Sequence, residues 1–312
     1  MRRIIDFHTH LGDIFHDNQN IAFKRPYLSH PDTFDPFGEL EENGFAHPLV
    51  VDDQQKQNVL IDAGLYRVWD RGNLFTTREC MDRCGIVYMV SLPILPNTSF
   101  EDALAASMLE PRLVPFTCPD FGLPDDKMLE KLRQDIANGA RGLKIHPILQ
   151  NIAITDPRCA GPIELFGERG LPVTWHCGVN DYYRPDSPYL RQTNKAFGAL
   201  HYTMELLRRY SDFVLVPAHG GGSCGGEMEQ LAETAARLGC KNLYIESSNR
   251  GAPDIVRALE LFGEDRVMYG TDWPFGTPDY SIRYLERALA DRPEQLDKVF
   301  YQNAARILRL DD

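Results

Sequence analysis

Short runs of apolar and β-branched residues recur along this chain at 3–7, 86–92, 113–116, 142–145, 171–175, 213–216, 243–245 and 266–269. Between them apolar residues return every three or four positions, the spacing of one helix face. Met128, Leu129, Leu132 and Ile136 form one such stripe, which Gly139 is placed to stop. Phe197, Leu200, Met204 and Leu207 predict a second helix, and Met228, Leu231, Ala232 and Ala235 a third. Ile255, Leu259 and Phe262 follow behind Pro253, a good first-turn residue, and Val299, Phe300, Ala304, Ile307 and Leu308 predict a closing helix. Strands alternating with helices predict βα units and a parallel sheet. Eight strands within 312 residues match the size of a (β/α)8 TIM barrel, expected to form one domain over 1–312. The α/β rival, an open doubly wound sheet, usually carries a glycine-rich loop after its first strand, where this chain has His8-Thr9-His10. Segment 12–70 is weakly periodic and rich in His, Asp, Asn and aromatic residues. It is expected to be an insertion after the first strand, forming a partial cap over the barrel mouth.

Composition narrows the function. Acidic residues outnumber basic ones, 45 to 33, giving a net charge of −12 that repels phosphate backbones and anionic membranes. Nucleic acid and membrane are therefore not expected partners; a small-molecule substrate is, with a homo-oligomer left open. No run of about 18 apolar residues occurs, and the start turns polar too soon for a signal peptide, so the expected location is cytoplasmic. The seven cysteines are scattered without a C-x-x-C pair, which fits reduced thiols.

Side chains at i and i+2 of a strand share a face, so His8 and His10 point together while Thr9 faces away. If strand ends offer roughly three positions each, nine random histidines would place fewer than about one there. Five lie there: His8, His10, His146, His176 and His219. Asp272 adds a carboxylate after the eighth run. Taken alone it reads as a helix cap, but beside a histidine cluster it reads as part of a site.

His8-x-His10, His176, His219 and Asp272, in this order at these strand ends, resemble the metal-site pattern of the amidohydrolase superfamily. The fragments Gly-Leu-Lys-Ile-His-Pro at 142–147, Thr-Asp-Trp-Pro at 271–274 and Asn-Ala-Ala-Arg-Ile-Leu at 303–308 are most similar to its amidohydrolase-related group, which includes aminocarboxymuconate semialdehyde decarboxylase, aromatic-acid decarboxylases and dicarboxylate lactonases. The resemblance spans the chain and implies a distorted barrel holding one or two divalent metals, with His8, His10, His176 and Asp272 as ligands.

Neutral imidazoles with a carboxylate suit Zn²⁺, with Mn²⁺ a second option. Such an ion brings the pKa of a bound water toward about 7. Asp272 would take and return a proton, and His219 would polarise a carbonyl or stabilise an oxyanion. Lys144 shares strand parity with His146. It reads either as an ordinary buried lysine or, as in the dihydroorotase-like branch, as a carboxylated lysine bridging two metals with His176 and His219. The decarboxylase-like members resemble single-metal enzymes without that lysine. His146, Arg184 and Glu246 are substrate-facing candidates. Arg184 would clamp a carboxylate if it is not merely solvated, and Glu246 would support the site if it is not a helix cap. The expected activity is hydrolysis of a C–N or C–O bond in a small carboxylated cyclic amide or lactone. Nonoxidative decarboxylation of a small unsaturated or aromatic acid is the alternative, and an inactive metal-binding scaffold a third that the pairing of Asp272 with His219 disfavours.

Overall fold

Strands and helices alternate in the order the apolar runs predict, in a computed structural model that describes residues 2–18, 21–24, 35–44, 52–222 and 226–310. The strands are β1 (Ile4–Thr9), β2 (Ile86–Ser91), β3 (Leu113–Pro115), β4 (Leu143–Ile145), β5 (Val173–Trp175), β6 (Leu215–Pro217), β7 (Ile245–Glu246) and β8 (Val267–Met268). Before β2 lie α1 (Pro36–Glu42), α2 (Gln54–Arg71) and α3 (Leu74–Cys84). Then α4 (Phe100–Leu109), α5 (Asp125–Ala137), α6 (Pro157–Gly167), α7 (Leu200–Arg209), α8 (Glu227–Leu238) and α9 (Ala252–Phe262) separate successive strands. Last come α10 (Pro278–Ala288), α11 (Pro293–Asp297) and α12 (Asn303–Leu308). Among the described residues no helix is long and apolar enough to cross a membrane.

All pairings are parallel, in ladders β1-β2-β3, β4-β5-β6 and β7-β8. Single bridges Thr117 to Leu143, Leu215 to Leu243 and Thr9 to Trp273 link the ladder edges, so the strands follow one another in sequence order. The described strands thus form three parallel ladders joined edge to edge by single bridges rather than one continuous ladder. They are short for local reasons. Pro115 and Pro217 end β3 and β6, where an imide nitrogen has no proton to donate. The buried Asp6 carboxyl accepts the backbone N–H of Thr271 at 3.0 Å and its hydroxyl, tying β1 to the chain beyond β8; burial pushes Asp6 up to about 8.

Strand residues alternate between two apolar layers. Leu143, Ile145, Val173, Trp175, Leu215 and Val267 pack on helix residues such as Leu132, Ile163, Leu207, Leu231 and Leu259. Phe7, Val90, Val114, Phe116, Val216 and Met268 pack on one another and on Ala304 and Leu308 of α12. Each fully buried side chain of this size contributes about 1.5–3 kcal/mol. Two apolar layers leave the strand ends free for polar side chains.

Three predicted elements differ. Segment 12–70 carries the 18-residue α2, which Asp53 caps by accepting the N–H groups of Gln55 and Lys56; its remaining stretches at 25–34 and 45–51 lie outside the described residues. The stripe from Phe197 to Leu207 does not make one helix: 195–198 is a 3₁₀ turn and α7 begins at Leu200. A Cβ at Gly198 would stand 2.0 Å from the Gly178 carbonyl oxygen, so the chain passes too close there for a helix to run through. The closing helix is a π-helical stretch, 298–302, followed by α12.

Candidate metal centre

His8, His10, His146, His176, His219, Glu246 and Asp272 lie at or just beyond the C-terminal ends of β1, β4, β5, β6, β7 and β8, and all are buried. Lys144, within β4, reaches the same place. The shared face expected for His8 and His10 is present: their Nε2 atoms are 3.3 Å apart, while Thr9 turns away to donate to the Val90 carbonyl. Asp272 Oδ1 stands 3.5 Å from His8 Nε2 and 3.3 Å from His10 Nε2.

Partners behind the rings decide which nitrogens are free. His8 Nδ1 donates to Glu246 Oε1 at 3.0 Å, and His10 Nδ1 to the Leu92 carbonyl at 2.8 Å, which leaves both Nε2 lone pairs facing Asp272. Burial lowers the pKa of both rings and keeps them neutral. Burial works against the Asp272 charge, while its interactions with the rings of His8, His10 and His219 shift its pKa below the usual range. Asn249 donates to Asp272 Oδ2 at 2.9 Å. Neutral nitrogens and a carboxylate with converging lone pairs are a donor set that fits a divalent ion.

His8, His219 and Glu246 form a second close group that shares His8 with the first. It suits an ion less well. Glu246 already accepts His8 Nδ1–H, the His219 N–H at 2.6 Å, and the Ser248 hydroxyl and N–H at 2.8 and 2.7 Å. Burial works against its charge, yet His8, His219 and these donors hold the carboxyl down at about 2. Glu246 is thus an ionised anchor for two histidines, neither a helix cap nor open to a substrate.

His176 belongs to neither close group. Its Nε2 faces the Gly178 carbonyl at 3.1 Å and its Nδ1 faces His219 Nε2 at 3.1 Å, with the Tyr182 hydroxyl 3.2 Å from Nδ1 and 3.0 Å from Nε2. Burial pushes His176 and His146 well down and His219 to about 4. His146 stacks on His176, ring centroids 4.4 Å apart, and its Nδ1 accepts the Leu149 N–H. Lys144 Nζ is 3.3 Å from His8 Nε2, and burial lowers it to about 8. Arg184 lies elsewhere: it is not among the residues lining the cavity, and its half-exposed guanidinium pairs with Asp62 on α2.

A cavity opens over the site. Its lining includes His176, His219, Asn249 and Asp272, the aromatic rings of Phe15, Phe37, Tyr182 and Phe275, and the aliphatic Leu60 and Ile61. Periodicity carried no signal for Phe15, Phe275 or Asn249, because each is aimed by a loop; Asn249 and Asp272 hold left-handed backbone, φ 57 and 62°.

The amidohydrolase family model matches residues 5–310, and the chain belongs to this family of metalloenzymes. No curated protein matches significantly. Among solved structures the chain is similar to an uncharacterised TIM-barrel protein from Bordetella bronchiseptica (TM-score 0.65, 19% identity, 98% of each chain). It is similar to 5-carboxyvanillate decarboxylase from Sphingomonas paucimobilis (TM-score 0.64, 15% identity, 100% of each chain). It is also similar to a probable 2-pyrone-4,6-dicarboxylic acid hydrolase from Acinetobacter baumannii (TM-score 0.59, 15% identity, 98% of this chain and 99% of that one).

Proposed function

We propose that this protein is a metal-dependent hydrolase of a C–N or C–O bond in a small carboxylated ring compound, a cyclic amide or lactone. The observation that carries this reading is geometric: His8 Nε2, His10 Nε2 and Asp272 Oδ1 converge within 3.5 Å of one another, and His219 lines the same cavity as Asp272, where it can accept a proton from an activated water. His8, His10 and Asp272 would hold the ion, zinc in this reading, with His176, which stands outside that close group, as the further ligand. Once bound, the ion supplies Lewis acidity and activates water. His219 takes the proton released as water adds and returns it to the leaving nitrogen or oxygen. Asp272 keeps one oxygen on the donor set while Asn249 holds the other. The apolar part of the cavity lining orients a flat ring and keeps bulk water out.

Decarboxylation of a small aromatic or unsaturated acid is the second reading, favoured by that same lining of Phe15, Phe37 and Phe275, which suits an aromatic body with its carboxylate on the ion. With Arg184 engaged by Asp62, a substrate carboxylate would meet the ion in either case. Turnover of lactones, cyclic amides and aromatic acids in H₂¹⁸O, with headspace analysis, separates the two. Hydrolysis puts ¹⁸O into the product and releases no gas; carbon dioxide without ¹⁸O in the organic product selects decarboxylation.

To this reading belong a distorted (β/α)8 barrel as one domain, segment 12–70 as a partial cap, and a cytoplasmic enzyme. Native mass spectrometry decides the metal count: a carboxylated Lys144 brings two ions, a bare amine one.

A further inference from the structure

At the N-terminal ends of the strands, opposite the donor set, three arginines come together. Arg3, at the entry to β1, and Arg306 and Arg309, at the end of α12, line one depression of about 580 Å³ with Tyr301, Gln302 and Leu310. Among the described residues no carboxylate lines it. Five residues of extended chain separate Arg3 from His8, so the depression lies about 16 Å from the donor set.

Backbone carbonyls, not acids, hold two of these arginines. Arg306 Nη2 donates to the Asp265 carbonyl and to Asn303 Oδ1 at 3.0 Å, and Arg309 Nη2 donates to the Arg169 and Gly170 carbonyls at 2.8 and 3.1 Å. Asp265 lies before β8 and Gly170 before β5, so each side chain is anchored on a segment other than its own helix. The Asp265 carboxylate itself is taken by Lys298 at 2.8 Å. Among the described residues neither Arg306 nor Arg309 forms an ion pair, and Nε and Nη1 of both carry no hydrogen bond. The Arg3 guanidinium lies over the Tyr301 ring, 3.8 Å from its centroid.

Three like charges around one depression repel one another, and an anion removes that repulsion. Guanidinium groups anchored at one nitrogen keep further N–H groups in a fixed plane, the arrangement that phosphate and carboxylate oxygens accept. The net charge of −12 repels a long polyanion, whereas within a Debye length of about 10 Å the local arginines set the sign. The balance favours a small ligand over a nucleic acid.

We propose that this depression is a binding site for a small, multiply charged oxyanion, a phosphate ester or a polycarboxylate, held by Arg3, Arg306 and Arg309. The anion fastens the start of β1, the strand that carries His8 and His10, to α12 and through it to the segments before β5 and β8.

Metal-loaded protein titrated calorimetrically with inorganic phosphate, pyrophosphate and tricarballylate at constant ionic strength, with Tm recorded beside each, tests the site. At least one probe should bind saturably and raise Tm. Arg306→Gln and Arg309→Gln should each weaken that binding by about 10-fold or more, the worth of a charge-assisted hydrogen bond, and Arg309→Lys, which keeps the charge without the fork, should fall between. Tighter binding of the phosphates points to a phosphate ester, and of tricarballylate to a polycarboxylate. No saturable binding of any probe to the wild type overturns the proposal without a variant, as does wild-type affinity in both glutamine variants. Binding lost in Asp272→Asn but kept in the arginine variants places the anion on the metal centre and overturns it too. A rise in Tm that sodium chloride reproduces, or binding confined to a single-stranded oligonucleotide, does the same. Asp311 and Asp312 follow Leu310 in the chain. Binding that appears only when both are replaced by Asn assigns the arginines to the chain's own acids and overturns the small-anion site.

Discussion

Glu246 receives four donors in a fully buried position, two of them from histidines of the site. Gln at this position has one oxygen to accept with and brings an NH₂ group that confronts these donors. Glu246→Gln is expected to weaken metal binding by about 10–100-fold, the usual cost of losing a ligand-orienting partner, as read by chelator competition. Unchanged affinity would show that His8 is oriented without it. His219 makes a separate prediction, because it offers a lone pair to the cavity yet stands outside the His8, His10 and Asp272 group. His219→Asn is expected to lower kcat by at least about 10²-fold while metal content, measured beside the rate, stays at the wild-type level.

The longest helix, α2, lines the cavity with Leu60 and Ile61 and also reaches the loop after β8 through the buried Arg67. Arg67 donates to Asp35, to Glu41 of α1 and to the Phe275 carbonyl, and Glu41 accepts the Thr277 N–H. The helices before β2 thereby grip the loop that carries Asp272 and Phe275. Arg67→Met keeps much of the volume but leaves the buried Glu41 carboxylate without its cation, so it should cost about 3 kcal/mol in denaturant unfolding and speed hydrogen exchange at 271–277. Exchange at wild-type rates there would disconnect the helix from the site. A second ion cluster ties the end of α4 to α3 and β3. Glu110 lies against Arg112 at 2.8 Å and Arg78 at 3.2 Å, and the Arg112 contact first of all draws its pKa down to about 2. A depressed folded-state value means stability present above the unfolded pKa, about 4.3, and lost as pH falls toward about 2. Glu110→Gln should therefore cost about 1 kcal/mol at pH 7, discounted for the solvent around both arginines, and nothing near pH 2, as a stability-against-pH series would record.

At the scale of the whole chain, the proposed ligands His8, His10 and Asp272 come from β1 and the segment after β8, so an ion there would link parts of the molecule far apart in sequence. An ion that binds only the folded state stabilises it by about 2.7 kcal/mol at a hundred times its Kd. Removal by chelator should lower Tm, and adding back Zn²⁺ or Mn²⁺ should restore it. An equal Tm with and without metal, at concentrations that restore turnover, would place the ion elsewhere or outside the folding equilibrium.

Local pattern was enough for much of this protein. Apolar runs and stripes predict the alternation of strands and helices because each strand must bury both faces and each helix one, a demand written into neighbouring residues. Strand parity brought His8 and His10 together, and the position of His146, His176, His219 and Asp272 after apolar runs put them at one end of the sheet. Tertiary structure decided the rest. The 18-residue α2 escaped notice because its apolar residues are sparse and its hold on the molecule runs through Arg67 and distant acids. Arg184, legible as a carboxylate clamp, is taken by Asp62, 122 positions away. Glu246, legible only as a polar residue ending a strand, became the acceptor that orients His8, 238 positions away. Hydrogen-bond partners of this kind are set by how the strands come to lie side by side, and no periodicity along the chain encodes which donor will meet which acceptor.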